Sequence, residues 1–122
     1  MERSVGVEVF MINNEIDIEE AAELYAVFLN ELIACTDELK QSMGKGDKEA
    51  MLSVIHNIKG IASSYMLYDT YEIVSDIYLQ LKKDSIQDMD NRMQSLLAEV
   101  ASERDKIIKY FKKSGIVLKE WE

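Results

Sequence analysis

Proline is missing altogether from the 122 residues, glycine occurs only five times, and cysteine, histidine and tryptophan once each. A lone cysteine, Cys35, cannot close an intramolecular disulfide, and without a Cys/His cluster the chain offers no metal-ligand spacing. Cys35 therefore reads as a small buried residue of a helix. No window approaches the roughly 18 apolar residues of a membrane span, and residues 1–10 lack the apolar run of a signal peptide, so cytoplasmic residence is the expectation. Basic charge is also short. Lys and Arg number 14 against 23 Asp and Glu, a formal net charge of −9, which argues against nucleic acid and anionic membrane surfaces and favours protein partners. There is no Gly-rich phosphate loop, no Ser/His/Asp arrangement, no paired-carboxylate site and no repeat.

What is present is apolar periodicity. With 48% hydrophobic residues, the chain has the material for one domain with a real core. Residues 1–12 are ambiguous: Val5, Val7 and Val9 alternate as in a strand, but no second strand exists to pair with them, so an arm or short helix lying on the rest is expected. Asp17 to Glu20 has the form of a capping box. From there Ile18, Ala21, Tyr25, Phe28, Leu29, Leu32, Thr36, Leu39 and Met43 keep helical spacing until Gly44 and Gly46 end it. Asp47 then caps a second helix running to about Met66. Asp69 to Glu72 repeats the capping arrangement for a third helix, whose buried face carries Ile73, Val74, Ile77 and Leu81, and the short connection makes the second and third helices antiparallel neighbours. Asp84-Ser85 reads as the cap of a fourth, long helix with Ile86, Met89, Met93, Leu96, Leu97, Val100, Ile107 and Phe111 on its stripe. Lys112 and Lys113 suit its C-terminal dipole and Gly115 its C′ position. Trp121, in the tail, is expected to pack on the bundle.

The only histidine lies in the second helix. Met51, Val54, Ile55, Ile58, Ile61, Ala62 and Tyr65 mark its buried face, and at about 100° per residue their mean direction falls roughly opposite His56. Glu49, Leu52, Lys59, Gly60, Ser63 and Leu67 share the histidine's side. Imidazole has an unperturbed pKa of about 6.5, so at neutral pH much of it carries an unprotonated, nucleophilic ring nitrogen. A phosphoryl group taken up there brings negative charge, which Lys59, one turn along, is placed to offset. Gly60 costs a helix interior on the order of 1 kcal/mol relative to alanine. Beside the histidine its missing side chain would let another protein's active site close over the ring.

His56-Asn57-Ile58-Lys59-Gly60-Ile61-Ala62-Ser63-Ser64 resembles the signature of histidine-containing phosphotransfer domains, which runs His, any residue, Leu or Ile, Lys, Gly, then small residues. The resemblance implies an all-α, antiparallel up-down four-helix bundle spanning residues 17–115. An N-terminal arm or short helix (1–16) would precede it and a tail (116–122) follow it, in a single domain. It also implies a phosphorelay role: His56 accepts a phosphoryl group from an aspartyl phosphate on a receiver domain, of a hybrid histidine kinase or a response regulator, and passes it to a second receiver. On this reading the protein is a monomer that carries no cofactor, and Mg²⁺ and most catalytic groups belong to the receiver. A sensor kinase's phosphorylated helix is a poorer match, because its motif typically continues to a proline and needs an ATP-binding domain that does not fit here. The alternative is a bundle that docks signalling proteins without transferring phosphate.

Around the site, Leu52 and Leu67 are expected to form an apolar docking rim, with Ser63 on the same ridge. Tyr78 and Lys82, one turn apart on the third helix, would border the imidazole, in keeping with the polar or basic group that the family often places there. The chain departs from the family at Met66, ten positions after the histidine, where a small residue, commonly glycine, is usual. Read on the helix, Met66 either leans toward the docking surface or tucks between helices.

Overall fold

The computed structural model describes residues 6–83 and 88–118. Among these residues the protein is all helical, with five helices: α1 (Val7–Asn14), α2 (Ile18–Lys45), α3 (Lys48–Ser64), α4 (Tyr68–Lys82) and α5 (Met89–Lys113). The contacts form a closed circuit, in which α3 packs between α2 and α4, α4 against α5, and α5 against α2, while α1 lies on α2. The expected arm is a helix. Val7 and Val9 belong to α1, not to a strand, and Val7 and Phe10 are its buried residues; Val5 lies outside the described residues.

Local chemistry sets most boundaries as the pattern predicts. The Asp17 side chain accepts the Glu20 N–H at 2.9 Å, and the Glu20 carboxylate accepts the Asp17 N–H at 3.4 Å, which completes a capping box at the start of α2. Gly46, left-handed at φ 64°, ends α2, with Gly44 still inside the last turn. One residue later Asp47 caps α3 through the Ala50 N–H. At the end of α5, Ile116 N–H reaches the Phe111 carbonyl and Gly115 N–H that of Lys112, both at 2.9 Å, with Gly115 at φ 81°. This is the Schellman arrangement that Gly115 was expected to close. The expected cap at Asp84-Ser85, with Ile86, lies outside the described residues, as does Trp121.

The junction between α3 and α4 differs from the sequence reading. α3 ends at Ser64, and Met66 is not helical but left-handed, at φ 60°. Leu67 N–H donates to the Ala62 carbonyl at 2.9 Å, and Leu67, 2% exposed, inserts into the core. That insertion starts α4 at Tyr68, so Asp69 stands in the first turn and no Asp69 to Glu72 capping box forms. The Thr70 N–H is instead taken by Glu103 of α5, whose carboxylate accepts it at 2.8 Å. Glu103 is 3% exposed. A carboxylate at a helix N-terminus meets the unsatisfied N–H groups and the positive end of the dipole, so α5 caps α4 across the core.

Five aromatic rings fill the same end of the molecule. Tyr25 lies edge-on to Phe10, Phe28 and Tyr65, with Phe111 tilted against it. Tyr65 stacks on Phe28 at 4.1 Å and on Phe10 at 5.1 Å between centroids. The Tyr25 hydroxyl donates to the Tyr65 carbonyl at 2.8 Å, and burial pushes its pKa up, which keeps that donor protonated. α1 joins this cluster because of Gly6, where a Cβ would come within 2.3 Å of the Met66 Cβ and 2.5 Å of its carbonyl oxygen.

Candidate functional site

The buried face of α3, formed by Met51, Val54, Ile55, Ile58 and Ala62, leaves His56 exposed at mid-helix. Lys59 is half-buried one turn along, and Gly60 and Ser63 are exposed. A Cβ built on Gly60 meets nothing within 4 Å. The glycine is thus not needed for packing inside the molecule, and it keeps the surface beside the imidazole low.

α4 completes one side of the site. Its half-buried Tyr78 brings its ring centroid to 5.8 Å from that of His56, tilted at 43°. Lys59 Nζ stands over the Tyr78 ring at 5.2 Å, and Lys82 Nζ, from the next turn of α4, at 5.7 Å. Both distances lie in the range of cation–π attraction. His56, Lys59, Tyr78 and Lys82 therefore converge, although two come from each helix.

The other side is acidic. A groove of about 600 Å³ runs between α2 and α3, with Glu31, Cys35 and Glu38 on the α2 wall and His56, Gly60 and Ile61 on the α3 wall. Cys35 is half-buried rather than buried; burial, with Glu38 and Glu31 adding to it, pushes its thiol pKa up, so it is held in the unreactive thiol form. The imidazole thus sits on a boundary between two lysines and two glutamates.

One expected rim residue is placed elsewhere. Leu67 is buried in the core and cannot belong to a rim. Leu52 is half-buried and packs against the core cluster. Met66 lies in the turn after α3, packed against the core and in contact with the Gly6 position, so its side chain tucks inward. Leu67 was expected on the histidine's side as though the helical ridge continued to it, but the left-handed Met66 redirects the chain. The acidic wall went unread because Glu31, Cys35 and Glu38 are spaced four and three apart, a single helix face that flanks the apolar stripe of α2. Glu103 had a signal: it fills the gap between Val100 and Ile107 where an apolar residue would complete the α5 stripe.

Comparison with protein-family models, curated proteins and solved structures returns no match for this chain. Among the described residues no cluster of three metal-ligating side chains occurs, and no helix is long and apolar enough to cross a membrane.

Proposed function

We propose that this protein is a cytoplasmic phosphorelay intermediate of the histidine-containing phosphotransfer kind, with α2 to α5 forming an antiparallel four-helix bundle and α1 closing one end. The closed circuit of helix contacts supports the bundle. The observation that carries the function is an exposed imidazole on a helix whose neighbouring position is an unobstructed glycine, flanked by two cations and no competing bulk.

The unprotonated ring nitrogen of His56 attacks the phosphorus of a receiver's aspartyl phosphate. The P–O bond to the carboxyl breaks, its electron pair leaving on the receiver's carboxylate, and a P–N bond forms. The reverse exchange delivers the group to the aspartate of a second receiver. Phosphoryl transfer depends chiefly on positioning and electrostatics, and the lysines supply charge for oxygens that the open Gly60 surface admits. The receiver contributes Mg²⁺ and most of the catalytic groups, so this chain acts without an ATP site of its own.

Incubation with a panel of phosphorylated receivers tests this. An acid-labile phosphoryl group should appear on the wild-type protein and be absent from His56→Gln, which should fold normally because the side chain faces solvent. Labelling that survives the substitution would exclude His56 as the acceptor. Receiver binding with no labelling of the intact protein would instead establish docking without transfer.

A further inference from the structure

We propose that Tyr78 is a positioning residue for phosphoryl transfer, whose ring holds the Lys59 and Lys82 ammonium groups beside His56 so that both meet the incoming phosphoryl group. This rests on the phosphotransfer reading of His56. One ring contacts three functional groups: the imidazole at 5.8 Å and the two Nζ atoms at 5.2 and 5.7 Å. Lysine is a flexible four-carbon stem with a strongly hydrated head, and an untethered surface lysine spreads over many rotamers. Among the described residues no ion pair joins Lys59 or Lys82 to a carboxylate, so the aromatic face is what gathers them.

The choice of tether has a chemical consequence. A carboxylate in the same place would hold the lysines more strongly, but it would neutralise them and repel a dianionic phosphoryl group. A ring attracts through its quadrupole and carries no net charge, so the lysines keep their full charge and exchange to the phosphoryl oxygens once these arrive, because charge-assisted hydrogen bonds are the stronger contacts. Lys82, on the helix that follows the histidine's own, thereby becomes a second cation at the site, and Tyr78 acts through the lysines.

Tyr78→Phe and Tyr78→Leu, each made in the wild type and in the Lys59→Ala/Lys82→Ala background, test the assignment through single-turnover transfer from a phosphorylated receiver. Tyr78→Phe should transfer at the wild-type rate. Tyr78→Leu should be slower by about two- to fivefold for each lysine held, the equivalent of an exposed cation–π contact. In the background without the lysines, Tyr78→Leu should have no further effect. A readout independent of phosphorylation accompanies this: ring current should shift the ε-methylene protons of Lys59 and Lys82 upfield in the wild type and Tyr78→Phe, and Tyr78→Leu should abolish the shift. Unshifted lysines in the wild type, full-rate transfer by Tyr78→Leu, or an undiminished effect of Tyr78→Leu without the lysines would each overturn the tether while leaving His56 as acceptor. A wild-type protein that takes no label overturns both readings.

Discussion

Gly6 and Gly60 are the same residue used for opposite ends. At Gly6 the backbone of α1 presses on the Met66 turn so closely that a Cβ would lie 2.3 Å from another, whereas a Cβ at Gly60 reaches nothing within 4 Å. One glycine belongs to the packing of the molecule with itself, at the aromatic end where α1, α2, α3 and α5 meet. The other leaves room on the outside, next to the only histidine. The turn after α3 packs against α1, whereas the middle of α3 presents His56 and Gly60 to solvent, so changes in the two regions should affect different observables.

The sharpest contrast follows from substituting both. Gly60→Leu should block transfer from receivers while raising stability by up to about 1 kcal/mol, since leucine is a far better helix former. Gly6→Ala should do the reverse: a loss of about 1–3 kcal/mol from overpacking against backbone and Cβ, with transfer at the normal rate in the folded protein. Urea denaturation and single-turnover transfer on the two variants check this. A Gly60→Leu protein that transfers normally would remove the explanation for an open glycine beside His56.

Met66 is the next test. It occupies a left-handed position, where a side chain costs roughly 1–2 kcal/mol and glycine nothing comparable. Met66→Gly and Met66→Ala both lose the packing of a half-buried methionine, but only glycine relieves the backbone. Met66→Gly should therefore be the more stable of the two by about 1 kcal/mol, the inverse of the order inside a helix, and neither should alter which receivers are used. Thermal melts in which alanine exceeds glycine would return Met66 to the helix.

The smallest effect concerns Glu103. Burial pushes its carboxyl pKa up, more than Thr70 pulls it down, with Asp69 and Glu99 adding to the rise. The folded protein then holds this proton at a pH where the unfolded chain, with an ordinary pKa of about 4.3, has released it. Stability contributed by this group rises as pH falls from neutral through the raised folded pKa and levels off below the unfolded one. Glu103→Gln keeps an acceptor for the Thr70 N–H and has no charge to desolvate. Its stability should thus fall behind the wild type's as pH is lowered from neutral to below the unfolded carboxyl pKa, read as a difference in denaturation midpoints, and parallel curves over that whole span would refute the shift.

The middle of α3 is legible in the sequence because burial there follows a period of 3.6 that the apolar residues spell out, from Met51 to Ala62. Direction follows from periodicity alone, so His56, Lys59, Gly60 and Ser63 fall where expected. The end of α3 is not legible in the same way. Tyr65 continues the apolar pattern, and methionine gives no local sign of a left-handed backbone; the turn depends on Leu67 entering the core and on Gly6, sixty residues earlier, making room. Glu103 capping α4 is likewise a contact between distant segments, visible beforehand only as a polar residue in an apolar stripe. Tyr78 and Lys82 could be placed near the histidine because neighbouring helices joined by a short turn bring matching turns together, but the sharing of one ring by two lysines is a matter of side-chain geometry.

If His56 is the phosphoryl acceptor, the presence of a single histidine makes one spectrum decisive. After incubation with a phosphorylated receiver, phosphorus–proton correlation NMR of the unfragmented protein should show a phosphoramidate resonance coupled to imidazole ring protons, which acid hydrolyses to inorganic phosphate in one sample and which, in a second sample kept neutral, disappears as an added unphosphorylated receiver takes up the group. A phosphorus signal coupled to any other side chain, or none at all in the presence of receivers that demonstrably bind, would contradict it.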